Sequence, residues 1–405
     1  MTASAPGPLA HAPFRWLLAA RTTAIVGNAV APIALAFAVL DLTGSAADLG
    51  LVVAARSLAN VAMLLFGGVI ADRLPRNVVL VGTSLAAAAT QGIVAALVLT
   101  GTAAVWSLAL LGVVNGAVAA VSLPAAAALV PDTVPPPLLR PANAWLRLGL
   151  NAGSILGASA GAAVIALIGP GWGLAIDAVA FAAAAALFSR LRLPLTPATA
   201  SPGEAPSVLT DLRDGWREFS SRRWIWIVVL QFAVLNAAFT GATTVLGPLV
   251  ADETFGRGGW GLVVAAQTAG FAGGALLALR WRPRRALGIG VAAMASAALP
   301  VATLAVAPTL PALIAAFALG GFAIELFAIA WDQSLQAHVP REALSRVYSY
   351  DMVGSFVAVP LGEIVVGPLA HTAGTVPVLL GCAAIIVLAT AVAASSRSVW
   401  SIRAA

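Results

Sequence analysis

Apolar residues run along this chain in stretches of about twenty, broken by short clusters of Arg, Asp, Pro and Gly. A helix rises about 1.5 Å per residue, so each stretch can cross the roughly 30 Å of hydrocarbon in a bilayer. Cutting at the polar and Pro/Gly positions places twelve stretches. They fall near 14–40, 48–70, 78–100, 103–129, 142–168, 171–189, 224–250, 258–279, 286–307, 310–331, 346–369 and 374–395. Barrel strands would read as alternating segments of roughly ten residues, a pattern that these continuous runs do not follow. The expected fold is an all-α polytopic membrane protein with twelve transmembrane helices. A hydrophilic stretch divides it into an N-terminal six-helix bundle (1–190), a cytoplasmic linker (191–223) and a C-terminal six-helix bundle (224–405).

Within the linker, 193–207 is rich in Pro, Ala, Ser and Thr and reads as a flexible tether. Residues 208–223 put Val208, Leu212, Trp216 and Phe219 on one helical face with charges opposite. That pattern predicts an amphipathic helix on the inner leaflet, the alternative being a solvated, partly helical loop.

Composition agrees with the hydropathy pattern. Of 405 residues, 60% are hydrophobic and 9% charged, whereas soluble domains are about a quarter charged. A net charge of +6 would suggest nucleic acid in a soluble chain. Here the positions of the charges account for it, and no nucleic-acid partner is expected. All 22 basic residues are Arg. With the N-terminus inside, eighteen fall in inside loops, Arg257 alone lies outside, and Arg21, Arg56 and Arg147 lie within spans. That asymmetry puts both termini in the cytoplasm of a multi-pass inner (plasma) membrane protein. The opening "MTASAPGPLAHAPFRW" lacks a basic region leading to a cleavage site, so the first stretch is expected to be retained as a helix.

Enzyme chemistry finds little footing. His11, His338 and His371 are scattered without metal-ligand spacing, and Cys382 is the single cysteine. Without Lys there is no phosphate-binding G-x-x-x-x-G-K-[ST] loop. Neither cofactor nor metal is expected, and an ion gradient is the natural energy source for any transport.

The halves also resemble each other. A shift of 205 residues aligns 134–158 with 339–363, superposing Val134 on Val339, Pro135 on Pro340, Gly149 on Gly354, Leu156 on Leu361 and Gly157 on Gly362. A shift of 206 brings "GGVIADRLPRN" near "GGALLALRWRPRR" (273–285). A duplicated six-helix unit is the architecture of many secondary transporters.

Between the second and third stretches, "GVIADRLPR" (68–76) resembles the major facilitator superfamily loop signature G-x-x-x-D-R-x-G-R-[RK], with Pro75 and Asn77 as departures. The cast of 40–76 and 130–145 is similar to the macrolide-efflux and siderophore-exporter branch of the drug:proton antiporters. "GSILGASAG" (153–161) resembles the fifth-helix antiporter motif through Gly153, Gly157 and Gly161, with Ala158 in place of Pro. Close helix packing through small residues explains that pattern equally well. Where the fourth-helix motif has an Arg, this chain has Gly112 ahead of Asn115 and Gly116.

The resemblance implies proton-coupled export of an amphipathic small molecule, such as a drug, antibiotic or siderophore, by alternating access of a monomer. Import of a nutrient or lysophospholipid is the alternative, as is a sensor or scramblase on the same fold. It further implies that Gly68, Asp72, Arg73 and Arg76 form a conformational latch onto the eleventh helix near Arg346. Arg73 and Arg76 also suit membrane lipid headgroups, and arginines serving only as inside anchors are the plainer reading.

A charge at the centre of a span costs about 2.5–3.5 kcal/mol on translocon scales, so each needs a partner or water. Glu325 is the first candidate for a protonated coupling site and Glu363 the second, with static Arg–Glu pairing as the alternative. Arg21 and Asn28 share a face of the first helix and are candidates to line the pathway, as are Arg56 and Arg147. Asp177 is expected at the interface near the outer end of the sixth helix. Asp41, Asp48, Asp332 and Asp351, near span ends, are expected to be solvated.

Overall fold

The computed structural model describes residues 7–73, 75–191, 208–281 and 283–403. Among them every regular element is a helix. The first six long helices are α1 (Ala12–Thr43), α2 (Ala46–Arg73), α3 (Arg76–Leu99), α4 (Val105–Ala128), α5 (Leu139–Ile168) and α6 (Pro170–Phe188). The amphipathic α7 (Val208–Ser221) follows. Next, α8 (Arg223–Thr240) runs through a π-helical turn, Gly241–Leu246, into α9 (Gly247–Glu253). Then come α10 (Arg257–Arg280), α11 (Ala286–Ala293), α12 (Ala298–Val306) and α13 (Leu310–His338). The chain ends with α14 (Arg341–Phe356), α15 (Val359–Ala373), α16 (Thr375–Ala394) and the short α17 (Arg397–Trp400). Among the described residues, twelve helical segments are long and apolar enough to cross a membrane, and most start within a few residues of the stretches read from sequence.

The chain folds as two compact units. One comprises Met1–Leu42 with Ala55–Ser201, the other Thr43–Ala54 with Pro202–Ala405. The opening turns of α2 therefore belong with the second unit.

In the first unit, α1 and α5 meet along a ladder of glycines. A Cβ on Gly149 would press on Thr22, on Gly153 against Ile25, on Gly157 into the carbonyl oxygen of Val26, and on Gly161 into Val30. Apolar side chains gain little by moving from lipid to a helix interface, so close backbone approach at small residues is what draws such helices together. α4 meets α2 in the same way. Gly116 lies on the backbone of Arg56 and Asn60, and the Asn60 amide donates to the Gly116 carbonyl at 3.1 Å.

The second unit repeats these devices at the 205-residue shift. Gly354 packs on Val229, and Gly362 packs on the carbonyl of Ala237, so α14 and α15 meet α8 where α5 meets α1. Gly321 of α13 rests on the backbone of Gln267 in α10, as Gly116 rests on α2. Gly169 and Gly374, at φ +94° and +91°, end α5 and α15 in the left-handed region that favours glycine. The duplication read from a few identities thus recurs in the contacts those residues make.

The expected inner-leaflet helix has a protein partner. On α7, Trp216 and Phe219 pack on Tyr350 of α14, with ring centroids 5.5 and 5.8 Å apart. Phe219 is buried, while Trp216 keeps half its surface exposed. Arg222, just beyond α7, pairs with Glu218 and donates to the carbonyl of His338 at 2.7 Å, tying the linker's end to α13.

The glycine ladder predicts an order of stabilities. Gly157→Ala forces its methyl into backbone and is expected to cost about 1–3 kcal/mol. Gly153→Ala meets chiefly the Ile25 methyl, a side-chain atom rather than a backbone carbonyl, and is expected to cost less. Gly82→Ala faces open space and is expected to be neutral or stabilising by up to about 1 kcal/mol. Thermal unfolding in detergent checks the order, and equal losses at Gly153 and Gly157 would contradict it.

Candidate functional site

Each unit carries its own embedded polar group. In the first unit the group centres on Asp177, in the middle of α6. Its side chain is 0% exposed, not interfacial as its place in the sequence suggests. The Gln91 amide on α3 donates to Oδ2 at 2.5 Å, and Arg56 on α2 acts on the carboxylate electrostatically. The missing side chain at Gly27 lets the α1 backbone close over the other oxygen. Distance to the end of a helix misjudged this site because burial depends on which helix covers the residue. The available signal was Gln91, a lone amide in an apolar run.

In the second unit, Glu363 on α15 is 1% exposed. Three features enclose it. The π turn packs on α15 with Gly241 against Gly362, and Gly50 at the start of α2 lies on the Glu363 carbonyl. The third is Gly367, one turn on, which meets Ala46 and Ala47. π turns shift the backbone hydrogen-bond register and recur at functional sites. Glu325, mid-helix on α13, is half-buried, with its Cβ against Gly274 of α10. The structure therefore seals Glu363 more completely than the first-ranked Glu325.

Near the polar end of this unit, Asp351 is not solvated as its sequence position suggests. The Trp331 indole donates to it at 2.9 Å and the Ser355 hydroxyl at 3.1 Å. The Tyr348 hydroxyl donates to Asp332 at 3.0 Å. Trp331 also joins an aromatic row with Trp224, Phe327 and Phe232.

The remaining predicted residues are spread over the units. Arg21 and Asn28 are half-buried on α1, and the Arg147 side chain on α5 is exposed. Gly153, Gly157 and Gly161 form part of the α1–α5 ladder, which accounts for their spacing by packing. Gly68, Asp72 and Arg73 end α2 and Arg76 opens α3, but their side chains lie outside the described residues. Among the described residues no group of three His, Cys, Asp or Glu side chains is arranged to hold a metal ion.

Among the described residues, twelve long apolar helices in duplicated halves define a multi-pass membrane protein. Residues 17–279 match the model of the Major Facilitator Superfamily, and the chain belongs to that family. It is 27% identical over 374 residues to the Multidrug efflux pump Tap of Mycolicibacterium fortuitum, covering 89% of this chain and 90% of that protein. Its fold is that of the nucleoside transporter NupG, with TM-score 0.71, 18% identity, and 94% and 98% of the two chains covered. A bacterial homolog of the human lysosomal transporter Spinster, inward-facing and unoccupied, superposes with TM-score 0.74, 16% identity and 100% of both chains. A D-xylose–proton symporter gives TM-score 0.65 at 14% identity, covering 94% and 95%.

The Asp351 network generates its own test. Asp351→Ala strands the buried Trp331 indole N–H and is expected to cost about 1–3 kcal/mol. Asp351→Asn keeps an acceptor and is expected to recover most of that loss. Denaturation followed by tryptophan fluorescence checks the pair; equal effects would place the cost elsewhere.

Proposed function

We propose that this transporter exports amphipathic small molecules from the cytoplasm in exchange for protons. The observation that carries this reading is the near full-length likeness to a multidrug efflux pump. The fold alone leaves the direction open, because a symporter shares it.

On this reading the protein is an inner-membrane monomer with both termini cytoplasmic. Residues 1–190 and 224–405 alternate access, and 191–223 links them. Glu363 and Glu325 carry the proton. A carboxyl removed from water binds a proton at one face and releases it at the other when its surroundings change. Arg21, Asn28, Arg56 and Arg147 serve the pathway. Gly68, Asp72, Arg73 and Arg76 form the latch: an aspartate at a helix end can accept from the free N–H groups that open another helix. The Gly153, Gly157 and Gly161 ladder keeps α1 and α5 moving together.

Inverted membrane vesicles with ethidium as the probe test this reading. Vesicles containing the protein are expected to concentrate ethidium when their lumen is acidified, and a protonophore is expected to abolish the effect. Glu363→Gln and Glu325→Gln are each expected to lower gradient-driven uptake by more than about tenfold while ethidium binding stays measurable. Undiminished uptake in both variants would overturn the proton assignment.

A further inference from the structure

We infer that Asp177 is a proton-binding carboxyl of the first unit, hydrogen-bonded by Gln91 and capped by the α1 backbone at Gly27. The inference deepens the proton-exchange reading and rests on it for its role in transport. It adds a site in the half of the protein that holds neither Glu325 nor Glu363.

Four helices supply the surroundings. Gln91 of α3 fixes Oδ2 through its amide at 2.5 Å. Oδ1 is fully buried and accepts no hydrogen bond among the described residues. It faces α1 so closely that a Cβ on Gly27 would lie 2.7 Å away. Arg56 of α2 is the charged group that acts on the carboxyl, while α3 and α1 present a neutral amide and a glycine. α5, also packed on α6, meets it through Ile165 at Gly173.

The two charge states of this carboxyl use the surroundings differently. Ionised, it relies on Arg56, because the Gln91 amide satisfies one oxygen and leaves the other bare. A proton added at Oδ1 breaks no hydrogen bond, since the Gln91 amide donates equally well to the carbonyl oxygen of a neutral acid. The step is the transfer of one proton to Asp177 and its later return to water, and it needs no other reactant. A glutamine serves both states, whereas an Arg or Lys in its place would hold the carboxylate ionised. Arg56 supplies charge at longer range, and its own backbone lies against Gly116 of α4. Movement of α2 would therefore change how strongly Arg56 acts on Asp177.

Infrared difference spectroscopy of the full chain in lipid bilayers, titrated with pH, tests this directly. The expected result is a carboxylic C=O band that appears on acidification, is missing in Asp177→Asn, and titrates with a displaced midpoint in Arg56→Gln. Identical carboxylic bands in wild type and Asp177→Asn at every pH would overturn the inference and leave Asp177 a buried carboxyl that exchanges no proton. Should Asp177→Asn fail to fold, Asp177→Glu and Arg56→Gln take its place. A band unmoved by both overturns the inference as well. The band reports the proton and not the cargo, so its absence removes this site while leaving ethidium export to be judged separately.

Discussion

Helices in hydrocarbon gain little by turning one apolar face toward another, so this fold depends on close backbone contact at glycine. Gly149, Gly153, Gly157 and Gly161 bring α5 onto α1, Gly116 brings α4 onto α2, and Gly362 brings α15 onto α8. Each contact replaces lipid with peptide at a distance only a missing side chain permits. The same closeness excludes water, which is why the polar groups beside these contacts are sealed. Gly27 closes over Asp177, and Gly50 and Gly362 close around Glu363.

The embedded carboxyls follow from that packing. A carboxylate within the hydrocarbon depth costs several kcal/mol unless neighbours compensate it. Glu363 sits beside a π turn, a local departure from helix geometry that disturbs the backbone ladder. Asp177 has the Gln91 amide on one oxygen, the α1 backbone at Gly27 against the other, and the charge of Arg56 acting on it from α2. Asp351, by contrast, has donors on both oxygens and belongs to the framework that joins α13 to α14. Three acidic residues in apolar sequence thus have three different physical situations.

Much of the architecture was legible in the residues themselves. Run length marks out the helices, and the shift of 205 residues marks out the duplication without reference to any contact. The structure extends that repeat to Gly116 with Gly321 and Gly169 with Gly374. The site was less legible, because position along a helix does not say which neighbour covers a face. Glu325 ranked first for lying mid-helix, yet Glu363 is the more enclosed. Asp177 looked interfacial from its place in α6 and is fully buried under α1. The apolar stripe of α7 suggested lipid, and Tyr350 takes part of it instead. In each case the missing information was tertiary, carried by a partner far away in sequence.

The central claim is that cargo and proton move in opposite directions through this family member. The most direct measurement uses purified protein in sealed proteoliposomes, with a pH-sensitive dye inside and an ethidium gradient as the only driving force. The account predicts that outward ethidium flow acidifies the lumen, and that the pH gradient which halts the flow is set by a fixed exchange ratio. Alkalinisation of the lumen during outward flow, or flow with no proton movement at all, would contradict it.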